Sequence, residues 1–112
     1  MPGEMREWKW SPAEKAIARR AYDRALGREL ESVIQETKER ASRIREVSEV
    51  WELEDWLVQR RRRIDRTFDY RYSVLPLVFG ALVREGRLSE YDLEGLGPEK
   101  MEAIQQIVRA DR

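Results

Sequence analysis

Apolar residues recur along this chain at intervals of three and four, with charged residues filling the positions between them. That period is helical, and it holds nearly end to end. Leu26, Leu30, Val33 or Ile34, Thr37, Ala41 and Ile44 form one such row, a seam for packing helix on helix. The helix that carries it has a clear start at Ser11-Pro12-Ala13-Glu14. These residues supply an N-cap hydroxyl, a proline at the first helical position and a glutamate that reaches back. The pattern predicts a first helix from Pro12 to about Arg45, roughly 50 Å long at about 1.5 Å per residue. A rod of that length is long for a globule of 112 residues, so part of its cover is expected from a partner chain. Gly27 weakens the helix by up to about 1 kcal/mol, and a close helix crossing or a slight bend there is the expected reason.

Ser48 is the expected N-cap of a second helix, about Glu49 to Tyr70. Val50, Leu53, Leu57, Ile64 and Phe68 form its apolar stripe. A neighbouring stripe reads Trp51, Glu54, Asp55, Val58, Arg61 or Arg62, and Asp65. Such a helix is too aromatic for a solvated face and too charged for a core, a mixture typical of protein interfaces. Trp51 and Asp55 lie one turn apart; Glu54 and Arg61, seven apart, share that face. Asp55 and Arg61 are six apart and do not meet within one helix, so a pairing between them is expected across two protomers. The run Arg60 to Arg63 points in all directions. One of Arg60 or Arg61 must lie near the apolar stripe, where a guanidinium stacks on a ring or forks onto a carboxylate.

A third helix, about Val74 to Arg84 with Ser73 as its cap, is apolar nearly all round and is expected to be the best-buried element. Glu85-Gly86 ends it. Ser89 and Asp92 stand in capping spacing at the start of a short helix. Gly95-Leu96-Gly97 is a turn, and Pro98 opens a last helix with Met101, Ile104, Ile107 and Val108 inward. Trp8 and Trp10 are expected to staple over the start of the first helix. The fold class is therefore all-α: residues 1–112 as a single helical domain, with long helices over about 11–70 and a small C-terminal head over about 72–110.

Composition narrows the chemistry. Basic and acidic residues balance at 22 each and make up 39% of the chain. Neutrality argues against a nucleic-acid coat or a partner on an anionic membrane. There is no cysteine and no histidine. That removes disulfides, thiol nucleophiles, the usual general base and the commonest metal ligands. The expectation is a non-enzyme with no catalytic, metal or cofactor-binding residue. The longest apolar run, about Val74 to Val83, is about half a membrane span. No apolar targeting segment opens the chain. A soluble cytoplasmic protein is expected, without membrane insertion.

Rival readings are weak. Leu93 to Pro98 followed by Ile104 has the look of a helix-hairpin-helix turn that grips a phosphate. Glu94, Glu99 and Glu102 surround it and oppose phosphate binding. Arg63-Ile64-Asp65 superficially suits a chorismate mutase, an electrostatic chemistry that needs neither histidine nor cysteine, but the rest of that pattern is missing. A carboxylate metal site at Glu52, Glu54 and Asp55 fails because Glu52 points away from the other two.

The chain resembles the fluorescence recovery protein family of cyanobacteria. Trp10-Ser11, Ala13-Glu14 and Arg28-Glu29-Leu30 carry the resemblance in the first helix. Its centre is Trp51, Leu53, Asp55, Leu57, Arg61 and Ile64-Asp65. Asp69, Arg71, Ser73-Val74, Val78-Phe79, Leu82, Glu85-Gly86, Leu93, Leu96, Lys100 and Ile104 continue it. The resemblance implies an all-helical homodimer built on the long helices. It also implies a role: binding the light-activated orange carotenoid protein, through that protein's C-terminal domain, and speeding its return to the inactive form. Photoprotective quenching at the phycobilisome then ends. No cofactor is implied. The family's patch residues fall on Trp51, Asp55 and Arg61, and a histidine of that patch is replaced by Glu54. A second contact is implied in the head around Leu77, where the family has an aromatic residue, and Lys100. A family lysine falls on Ala103. These departures leave open a different, unknown protein client for the same dimeric scaffold.

Overall fold

The computed structural model describes residues 7–110. It is helical, with no strand among the described residues. Helix α1 spans Pro12–Ser42, α2 Val47–Thr67, α3 Leu75–Arg84 and α4 Pro98–Arg109; a 3-10 turn, Glu90–Leu93, stands between α3 and α4. The first helix starts as its sequence dictates. The Ser11 hydroxyl accepts the Glu14 N–H, and the Glu14 carboxylate accepts the Ser11 N–H at 3.0 Å. The same box recurs at Ser89 and Asp92 before the 3-10 turn.

Four boundaries differ from the sequence expectation, each for an identifiable reason. Helix α1 stops at Ser42, short of Arg45, because its last turn tightens: Arg43 and Ile44 donate to carbonyls only three residues back. Helix α2 begins at Val47, not after Ser48. The Glu49 carboxylate reaches back to the N–H groups of Arg45, at 2.6 Å, and Glu46, at 2.9 Å, and this charged acceptor closes the helix start upstream of the serine. It ends at Thr67, short of Tyr70, because Phe68, Tyr70 and Tyr72 peel away to pack edge-on around Tyr22 and one another. Ser73 does not cap α3; Val74 holds that position, and the Arg71 carbonyl takes the first two N–H groups.

The core lies under the head. Leu75, Val78, Phe79 and Leu82 from α3 meet Leu88, Leu93, Leu96 and Ile104. All rest on an alanine stripe of α1: Ala18, Ala21 and Ala25. Small side chains at this three-and-four spacing let the head sit close to the rod. Gly80 does the same between α3 and α4, where an added Cβ would lie 2.8 Å from the Ile107 Cβ. Gly95 has φ +106°, a left-handed turn conformation that side chains resist. Trp10 seals one end of the core. Its indole N–H donates to the Tyr72 carbonyl at 3.2 Å, and its ring stacks obliquely on Tyr72. Trp8 is half-buried.

The far half of the rod is different. The expected seam is not a buried one: Leu30 and Ile34 are 47% and 52% exposed, and Leu26, Val33 and Thr37 are only half-covered. Around Gly27 there is open space, so no crossing within the chain explains it. The molecule measures 53 × 30 × 25 Å with a radius of gyration of 17.0 Å, against about 13 Å for a compact chain of this size. A helical hairpin, the rest of α1 with α2, projects from the head as an arm.

Candidate interaction surface

Helix α2 has one fully buried side chain, and it is an arginine. Arg60 forks into α1: Nε donates to Glu29 at 2.8 Å, one terminal nitrogen to Glu36 at 2.7 Å, and the other to the Ser32 hydroxyl at 3.1 Å. Its guanidinium also lies 5.5 Å from the Trp56 ring centre, and Arg40 of α1 lies 4.5 Å from the same ring. The fork and the stack foreseen for Arg60 or Arg61 thus fall together on Arg60. Glu29 is buried as well, and its other oxygen accepts from Arg87, in the loop after α3, at 2.8 Å. Burial pushes the Glu29 carboxyl up, but hydrogen bonds and charge from Arg87 and Arg60 hold it below its ordinary value. Arg28, next along α1, donates to the Arg87 carbonyl at 2.8 Å and shares Asp92 with Arg24.

The opposite face of α2 is wet. Trp51 is 58% exposed, and Val47, Val50 and Val58 beside it are exposed too. Glu54, Asp55 and Arg61 lie on the same face, all exposed. Among the described residues none of these three makes an ion pair. The residues of the expected patch are thus exposed on the outer side of α2, and among the described residues its charges have no ion-pair partner. Leu77 is also exposed, on the outer side of a mostly buried α3.

Lys100 is a correction. Expected beside Leu77 as a second contact, it is 5% exposed. Its ammonium donates to the Lys9 carbonyl at 2.6 Å and to Glu14 at 3.0 Å, 4.8 Å from the Trp10 ring centre. Glu14 in turn accepts the Gly97 N–H at the start of α4, 2.7 Å away. The Ser11 N–H does most to lower its carboxyl, with help from Gly97 and Lys100 against burial, and holds it at about 2. Lys100 joins the two ends of the head from inside.

No group of three or more potential metal-binding side chains occurs among the described residues. No helix there is long and apolar enough to cross a membrane.

What such a rod-and-head molecule is follows from its relatives. The family model of the photoprotection regulator fluorescence recovery protein matches residues 10–108. The chain belongs to the fluorescence recovery protein family. The fluorescence recovery protein of Synechocystis sp. (strain PCC 6803) is 33% identical over 100 residues, which cover 89% of this chain and 92% of that protein. The structure of the Fremyella diplosiphon fluorescence recovery protein superposes with a TM-score of 0.86 at 36% identity, covering 90% of this chain and 99% of that one. The Synechocystis structure gives the same score and coverage at 33% identity. The all-helical fold is the family's, and the family is described as one of photoprotection regulators.

Proposed function

We propose that this chain is a homodimeric regulator that binds the photoactivated orange carotenoid protein and accelerates its return to the inactive form. Quenching at the phycobilisome then ends. The observation that carries the reading is the wet face of α2, where a half-exposed tryptophan stands among valines and unpaired charges. An apolar patch rimmed by polar groups marks a surface that meets another protein.

Dimerisation accounts for half of it. The N-terminal part of α2 exposes Glu52, Glu54 and Asp55; the C-terminal part exposes Arg61 to Arg63 and Arg66. A two-fold axis setting two such helices antiparallel opposes acid to base twice, since a two-fold interface is self-complementary. Asp55 then faces Arg61 of a second copy. Leu30 and Ile34 of α1 are exposed as well, and a second copy that also rests on α1 would cover them.

The client accounts for the rest. A protein without cofactor chemistry changes a client's conformation only by differential binding. A tenfold faster return requires about 1.4 kcal/mol more affinity for the transition state than for the activated form. Trp51 supplies apolar area for it, Leu77 supplies a second point on the head, and Glu54 makes the patch more acidic and tunes which client fits, while Asp55 and Arg61 act through the dimer they hold together. The test is dark recovery of a photoactivated orange carotenoid protein, followed by absorbance with and without the chain. Acceleration is the expected result. Unchanged recovery with carotenoid proteins from several sources would remove the role.

A further inference from the structure

We infer that Arg60, gripped by Glu29 under the control of Arg87, is the positioning residue that sets the register of α2 and hence the placement of the Trp51 face relative to the head. The argument starts from what α2 lacks. Leu53, Trp56, Leu57 and Ile64 are only partly covered, and no apolar side chain of α2 is fully buried. Apolar contact without interdigitation leaves a helix free to slide or roll on its neighbour. A planar guanidinium bound at three points does not. The three acceptors Glu29, Ser32 and Glu36 follow each other along α1 at three- and four-residue intervals, so they fix both height and rotation. Buried ion pairs add little net stability against an apolar replacement; their best-attested use is to select one register.

The head enters through Arg87. That side chain belongs to the loop after α3, holds the second oxygen of Glu29 and so aims the first one at α2. Arg28, donating to the Arg87 carbonyl, steadies the loop. A contiguous chain of charge-assisted bonds therefore runs from the head, through α1, to the helix that bears the exposed patch. Two surfaces on one molecule reach a single client together only if their separation is fixed. That consequence rests on the function proposed above; the geometric claim does not.

The test is a distance. The chain contains no cysteine, so spin labels go cleanly onto Lys38→Cys in α1 and Gln59→Cys in α2, both exposed. The labelled chain is diluted with unlabelled chain to isolate one protomer. Arg60→Met is the informative variant: Glu29 keeps Arg87 and Glu36 is already part-exposed, so no buried charge is orphaned. The expected result is a narrow distance distribution in the parent and a broad one in Arg60→Met, with helical content retained and Arg60→Lys between them. Arg87→Gln, at a side chain that bonds to Glu29 and makes no hydrogen bond to α2 among the described residues, broadens the same pair. Should Arg60→Met not fold, Arg87→Gln carries the test alone. A folded variant with an unchanged narrow distribution overturns the inference, because a merely structural arginine lowers the melting temperature without moving the distance. No client is present in this measurement, so its outcome is independent of the assay on the carotenoid protein.

Discussion

Glu29 is a carboxylate buried between two guanidinium groups, and its removal exposes how much depends on it. Glu29→Gln leaves Arg87 without its anion and Arg60 with only Glu36 and Ser32. Breaking one partner of a buried pair costs about 3 kcal/mol, and the urea midpoint is expected to fall accordingly. Trp51→Ala is the opposite case. The side chain is exposed, so unfolding of the isolated chain is expected to shift by no more than about 0.5 kcal/mol, while self-association weakens. The proposed patch is suggested in the sequence by the rarity of tryptophan among charges at one helical spacing, and the exposure of Trp51 agrees with it. The sequence made the clamp only half legible. The run Arg60 to Arg63 offers four arginines, and spacing along α2 narrows the buried one to Arg60 or Arg61 without choosing. What chooses is the position of Glu29, Ser32 and Glu36 on another helix. Glu29 was invisible as a site because a lone glutamate in a charged helix has no local signal. Lys100 misled for the same reason: its burial depends on Glu14 and Lys9, far away in sequence.

Helix boundaries tell a similar story at the scale of elements. Where a cap is local, as at Ser11 or Ser89, sequence gives the start. Where a side chain inside the helix reaches back past the expected cap, as Glu49 does, a competing local cap moves the start; where aromatics pull the chain away, as Phe68 and Tyr70 do, tertiary contacts move the end. The alanine stripe of α1 shows spacing at 18, 21 and 25, yet alanine also suits any exposed helix, so it gave no contrast with the larger seam residues. Two predictions belong here. Gly80→Ala forces a Cβ against Ile107 and is expected to destabilise by about 1–3 kcal/mol, with Ile107→Val recovering part of the loss in thermal melts. Acid also loosens the contacts between elements. Glu14 and Asp92 are each held at about 2, from ordinary values of 4.5 and 3.8. For Asp92, burial opposes the shift and is outweighed by the Ser89 N–H with Arg28 and Arg24. Depressed folded values mean that this stability is present above the unfolded pKa and is lost as pH falls toward 2. Thermal midpoints are expected to drop between about pH 4.5 and 2, less steeply in Glu14→Gln.

At the scale of the whole molecule, the head is a packed unit and the arm is not. Its length, its half-covered helices and its exposed Leu30, Ile34, Val50, Trp51 and Val58 leave apolar area open on the arm, which the proposed dimer would cover. Leu30→Glu places a charge on a side chain that is 47% exposed in the single chain, so the monomer fold is expected to survive while assembly is lost. Amphipathic spacing foretold a long rod in need of cover; it did not reveal that the cover is missing only from the far half, because the head's contribution comes from residues some 50 positions later. The measurement that bears most directly on the wet face as an interface is the mass of the native chain in solution at micromolar concentration. A dimer, twice 13.4 kDa, shifting to monomer in Leu30→Glu, is the predicted result; a native mass of one chain at every concentration would contradict it.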